Sequence, residues 1–216
     1  YSVVVFSMPL IGMKNRPSVF LERFGCFNFE NYVELSRLKD SPIELMIGPW
    51  THSGNDETFA GDVDFGAAAA IADFDVEFQR RWFDRHLKND NNESHDRPVK
   101  LFVMGTGDGT RNEDGRLVHG GYWTEATAWP LPNAEMVPFY FHADGSLTPE
   151  SPAARQSSTT YTFDPARPVP TLGGNVSSRV KDGAFNQRER SDFHGSQLPY
   201  LPLSARNAVL VFQTEP

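Results

Sequence analysis

His52 is the residue of this chain best placed to do chemistry. It follows the apolar run Ile43-Glu-Leu-Met-Ile47, which stops at Gly48-Pro49 and delivers Trp50 and His52 into the segment beyond. Such a run reads as a buried strand, and in open α/β sheets reactive groups gather just past the carboxyl ends of strands. An imidazole placed there can take a proton from a nucleophile and hand it to a leaving group near neutral pH, so His52 is a candidate general base. Ser53 is its neighbour in sequence, which does not aim the hydroxyl at the same ring. No Gly-x-Ser-x-Gly occurs in the chain, so Ser7, Ser18, Ser36 and Ser53 all lack the flanking glycines of a strained elbow that exposes its Oγ.

The remaining titratable residues offer less. His86, His95, His119, His142 and His194 have no comparable context and read as surface or loop residues. Asp56, Glu57, Asp62 and Asp64 crowd the segment after His52 without the oxygen-ligand alternation of a calcium loop, and they read as a solvated acidic loop. Asp108 to Gly115 reads the same way, as a turn-rich excursion. Neither a metal nor a cofactor is expected. Of the four tryptophans, Trp50 is the one expected near the site, by packing beneath the loop or by touching substrate; Trp82 reads as core.

Composition limits the partners. The 216 residues carry 28 acidic against 20 basic side chains, a net charge of −8 with no Lys/Arg cluster, which removes the electrostatic footprint a nucleic acid requires. Cys26 is the single cysteine, so no intrachain disulfide forms and the redox compartment stays open. The opening apolar run to Pro9 is too short to span a bilayer and lacks a signal peptide's basic start. A soluble protein is expected, cytoplasmic or secreted, with no membrane partner and an oligomeric state the sequence leaves open. The chain starts with Tyr1 in what reads as mid-strand and stops just after the strand-like 207–214, so both ends are expected to be cuts through a longer protein.

The elements that must hold His52 follow from periodicity. A short helix is expected over 30–38, a strand over 43–47, and an irregular polar segment from Gly54 to Gly66. One long amphipathic helix is expected from Ala67 to Leu87, with Ile71, Phe74, Phe78 and Trp82 on its apolar stripe, and then a strand over 98–105. Strand, helix, strand, helix, strand argues a parallel sheet covered by helices. After Pro130-Leu-Pro132 the texture changes to strand candidates at 136–142, 158–163 and 207–214, joined by turn-rich segments. Fold class therefore switches from α/β to all-β near residue 132.

Six segments in order carry a resemblance: Gly48-Pro-Trp-Thr-His52, Phe65-Gly-Ala-Ala-Ala-Ala70, Arg81-Trp-Phe-Asp-Arg-His-Leu-Lys88, Leu101-Phe-Val-Met-Gly105, Trp129-Pro-Leu-Pro132 and Phe163-Asp-Pro-Ala-Arg-Pro-Val-Pro-Thr-Leu-Gly-Gly174. Over roughly residues 30–216 the chain resembles the cocaine esterase/NonD hydrolases, relatives of the Xaa-Pro dipeptidyl-peptidases. The resemblance implies the C-terminal part of an α/β-hydrolase domain over 1–132 and the first part of a jelly-roll β-sandwich over 133–216. A helical cap and the nucleophilic serine would precede residue 1. His52 would be the triad base, acting on a small ester, an amide or a short peptide through an acyl-enzyme. The triad carboxylate falls on Glu22 in an ungapped match, although Val19, Phe20 and Leu21 reproduce none of the residues that accompany it in the family. A gapped match places Asn28 there instead. Glu22 is preferred, because only an anion stabilises the imidazolium. Residues 1–29 as a whole depart from the family pattern. The competing reading is a non-catalytic β-sandwich module that binds or is vestigial.

Overall fold

The computed structural model describes residues 32–38, 43–51, 54–73, 76–77, 79–88, 97–153, 158–173 and 182–215. The expected strand at the amino terminus, Glu22 and Asn28 all lie outside them. So do His52 and Ser53.

Residues 32–38 form a helix, α1, and Leu45–Ile47 form the first strand, β1. The strand β4, Val99–Met104, pairs in parallel with β1, with Leu45 opposite Val99 and Ile47 opposite Leu101. The other edge of β4 takes β6, Gly121–Ala126, in an antiparallel ladder from Val99↔Ala126 to Met104↔Gly121. The sheet is therefore mixed, in the order β1-β4-β6. Its parallel pair agrees with the alternation in the sequence. Nothing in the periodicity singled out β6.

Side chains alternate across a strand, and β4 shows why its run is apolar on both faces. Val99 and Leu101 pack with Tyr32 of α1 and Leu45 of β1, supported by Ile43, Ile47, Ala126 and Trp129. Phe102 points the other way, into a second cluster with Ala60, Phe65 and Ala69, covered by Val63 and Trp123. Val99 is fully buried.

The segment expected to be irregular contains a hairpin, β2 (Phe59–Ala60) with β3 (Val63–Asp64), and β3 pairs in parallel with β5 (Leu117–Val118). Gly61 sits at the hairpin tip with φ +65°, a conformation that favours glycine, and a Cβ there would strike the backbone of Ala184. Residues 61 and 184 form an isolated bridge.

The long helix over 67–87 is not formed. Ala67–Ala69 make one 3-10 turn, Ala70 is extended at φ −74° and ψ 139°, and Asp73 is left-handed at φ 53°; the helix α2 spans only Gln79–Lys88. The cause is competition for backbone groups. The Ala68 and Ala69 carbonyls accept bonds from the indoles of Trp123 and Trp50, and the Ile71 amide, which a helix would direct to Ala67, donates to Asn55 O at 2.8 Å. Tertiary partners have replaced the i to i+4 ladder. Along α2 the exposed face carries Arg80 and Lys88, both paired with Asp84.

In the carboxyl-terminal half, strand is sparser than the pattern suggests. Only Tyr140–Phe141 (β7) of 136–142 is a strand, paired antiparallel with β8, Leu147–Thr148. Residues 158–163 form none, and 207–214 reaches the hairpin through a single bridge, Ser146↔Gln213, with the Phe212 ring tilted against Phe141 at 4.5 Å. Alternation supplies a face but not a neighbour, and a strand is completed only by a partner that takes its backbone bonds. No helix among the described residues is long and apolar enough to cross a membrane.

Candidate functional site

The loop that carries His52 leaves the carboxyl end of β1 and is held at both ends. Before it, Trp50 folds back over Gly48, where a Cβ would overlap the indole, and its Nε1 donates to the Ala69 carbonyl at 2.8 Å. After it, the Asn55 carbonyl accepts the Ile71 amide at 2.8 Å. Between these anchors the Gly54 amide donates to Thr51 O at 3.2 Å, and Glu57 N donates to Gly54 O at 3.1 Å. Both anchors are on the same short segment, 69–71.

That segment is braced in turn from β6. Trp123 Nε1 donates to Ala68 O at 2.7 Å, and the Trp123 and Trp50 rings lie 5.5 Å apart. Phe102 meets Trp123 edge-on at 5.3 Å and Phe65 at 6.2 Å, so an aromatic layer runs from the loop into the core. Of the two roles open to Trp50, the packing one is visible. Trp50 is partly buried; its apolar face lies in this layer and its indole N–H is used on backbone.

The acidic residues after the loop are structural in their contacts. Asp64 accepts the Gly66 amide at 2.8 Å on one oxygen and Asn112 Nδ2 at 2.7 Å on the other. Asp62 accepts from Arg190 Nη1 at 3.2 Å, while its backbone donates to Ala184 O and accepts from Leu117 N. Asp56 and Glu57 are exposed. Among the described residues no three His, Cys, Asp or Glu side chains gather as a metal site would need. Asp108 bonds the amide and hydroxyl of Thr110, which hold its carboxyl below the ordinary range, hydroxyl first.

The other histidines separate. His119, expected at the surface or in a loop, is partly buried against Phe65 at 5.9 Å, with its Nδ1 buried and without a hydrogen-bond partner among the described residues. His142 Nε2 lies 3.0 Å from Thr148 Oγ1 and 3.1 Å from Glu150 O in the β7–β8 turn, and His194 is exposed. His86 stands in α2, and His95 lies outside the described residues. Sequence reasoning missed the anchors Asn55, Ala68, Ala69 and Ile71. Their contribution is backbone, which side-chain patterns do not advertise; the indoles were the one available signal.

Residues 91–216 match a family described as the X-Pro dipeptidyl-peptidase C-terminal non-catalytic domain. The chain belongs to that family. It is also 31% identical over 187 residues to the cocaine esterase of Rhodococcus sp. (strain MB1 Bresler), a stretch that takes in 82% of this chain and 28% of the esterase. The chain thus spans little more than a quarter of the length of that curated relative. No solved structure matches the chain significantly. The family resemblance seen in the six motifs is correct, and strands outnumber helices among the described elements, which fits a C-terminal β domain of this family.

Proposed function

We propose that this chain is part of a serine hydrolase that cleaves ester or amide bonds through an acyl-enzyme, with His52 as general base. One observation carries the reading: β1 runs parallel to β4, and the His52 loop leaves the carboxyl end of that parallel strand, where α/β enzymes hold their chemistry. The motif order and the likeness to an esterase support the same assignment. Residues 1–132 belong in this reading to the hydrolase domain and 133–216 to a jelly-roll sandwich.

In the first half-reaction His52 takes the proton of a serine hydroxyl as its oxygen attacks the carbonyl carbon, then returns that proton to the departing alcohol or amine. In the second it takes a proton from water, which attacks the acyl-enzyme, and gives it to the serine oxygen as the acid leaves. Glu22 accepts the Nδ1 hydrogen of His52 and stabilises the imidazolium. The serine and its oxyanion donors stand N-terminal to Tyr1 in this reading, so these 216 residues alone have no acyl-transfer activity. The substrate is a small ester, an amide or a short peptide.

Labelling of the full-length protein with a fluorophosphonate tests the reading. A covalent adduct on a serine N-terminal to this segment is expected, and a folded protein that takes no label overturns it. Replacing His52 with Ala should reduce hydrolysis of a p-nitrophenyl ester by about 10⁴-fold or more; retained turnover would show that another group is the base. The match of residues 91–216 to a non-catalytic domain favours a second reading, a binding module without a complete triad, and the unlabelled outcome selects it.

A further inference from the structure

The geometry points to Trp123 as a positioning residue for the His52 loop, acting through the turn at Ala67–Ala69. This inference rests on the assignment of His52 as the base. Trp123 lies on β6, inside the stretch that matches the non-catalytic domain, yet its indole reaches 55 residues back along the chain to donate to Ala68 O at 2.7 Å.

Three bonds arrive on four consecutive residues. Ala68 O receives Trp123 and Ala69 O receives Trp50, two residues before His52, while Ile71 N donates to Asn55 O, three residues after it. The loop is therefore a staple with both legs in the 69–71 segment. The segment cannot hold itself as a helix, since Ala70 is extended and Asp73 left-handed. Its fixed points are buried Ala69 in the Phe65–Phe102 cluster and the indole of Trp123, itself set by the six-residue ladder between β4 and β6. Moving the turn moves both legs together, and a general base displaced by an ångström loses much of its rate without changing how substrate binds.

The test uses the full-length protein and Trp123→Phe, which keeps an aromatic ring and removes the N–H donor, with Trp123→Leu as a second variant if the first does not fold. The expected result is a fluorophosphonate labelling rate and p-nitrophenyl ester kcat lowered roughly 10-fold, KM within twofold of the parent, and a Tm lowered by only a few degrees. Amide exchange at Gly54 and Ile71 should speed up while the β4–β6 amides keep their protection. Labelling and turnover at the parent rate, with unchanged exchange at Gly54 and Ile71, overturn the proposal. If the parent itself takes no label, the hydrolase reading fails separately. Exchange then decides the brace alone: faster exchange at Gly54 and Ile71 in Trp123→Phe sustains it, and unchanged exchange overturns it.

Discussion

Trp50 and Trp123 donate their indole hydrogens to the carbonyls of adjacent residues, Ala69 and Ala68, with their rings 5.5 Å apart. One comes from the loop after β1 and the other from β6, and they meet on a single 3-10 turn. The pair ties the candidate base loop to the central sheet.

Replacing Trp50 with Phe is expected to remove one leg of the staple and leave the Ala69 carbonyl without its donor, at a cost of about 1–2 kcal/mol. Gly48→Ala should act on the same contact, because the new methyl overlaps the indole and forces it off the turn; overpacking of this kind costs roughly 1–3 kcal/mol. Denaturant unfolding measures both. The two costs should combine less than additively in the double variant, since each displaces the same ring.

Val99→Ala tests the sheet's centre. Val99 is fully buried between α1, β1 and Trp129, so losing two methyls and leaving a cavity should cost about 2 kcal/mol. Lys100→Ala, one residue on and exposed, loses only a 3.7 Å pair with Glu125 and should change stability by less than about 0.5 kcal/mol. Equal effects from the two would contradict the placement of β4.

A buried carboxylate organises the carboxyl-terminal segment. Glu189, 5% exposed, accepts from Arg206 at 2.6 Å and from the Gln197 amide at 2.8 Å, and Arg206 also reaches the carbonyls of Arg167 and Pro168. Arg206→Ala strands the charge and should cost about 3–5 kcal/mol. The double variant Glu189→Gln with Arg206→Met should recover part of that loss, as read from Tm. By contrast, removing Arg190 from Asp62, where both side chains are more than a third exposed, should cost no more than about 1 kcal/mol and less at high salt.

The turn between β7 and β8 gives a pH signature. The Ser146 hydroxyl and then its amide donate to Asp144 and hold its carboxyl below the ordinary range. A folded-state pKa below the unfolded one adds stability that is fully present above the unfolded value of about 3.9 and is lost as pH falls through the lower folded value. Ser146→Ala should therefore raise the Asp144 midpoint in a carboxyl-carbon NMR titration. A midpoint that stays where it was would show that the hydroxyl is not the cause.

What the sequence by itself determined is local and compositional: the strand ending at Gly48-Pro49, the buried run of β4, a short helix within 30–38, the acidic charge and the family motifs around His52. Each of these depends on side-chain type and period, which a chain displays without its partners. Partner choice was decided only by the tertiary structure. Ala67 to Leu87 has helical spacing, yet Asn55, Trp50 and Trp123 take the backbone groups its first half needs. The run 207–214 has strand spacing, yet it meets one bridge. Trp123 shows no tie to the 67–71 segment until β6 folds against β4 and carries its indole to Ala68. Hydrogen bonds across 55 residues leave no trace in periodicity, because the acceptor is a carbonyl that every residue possesses.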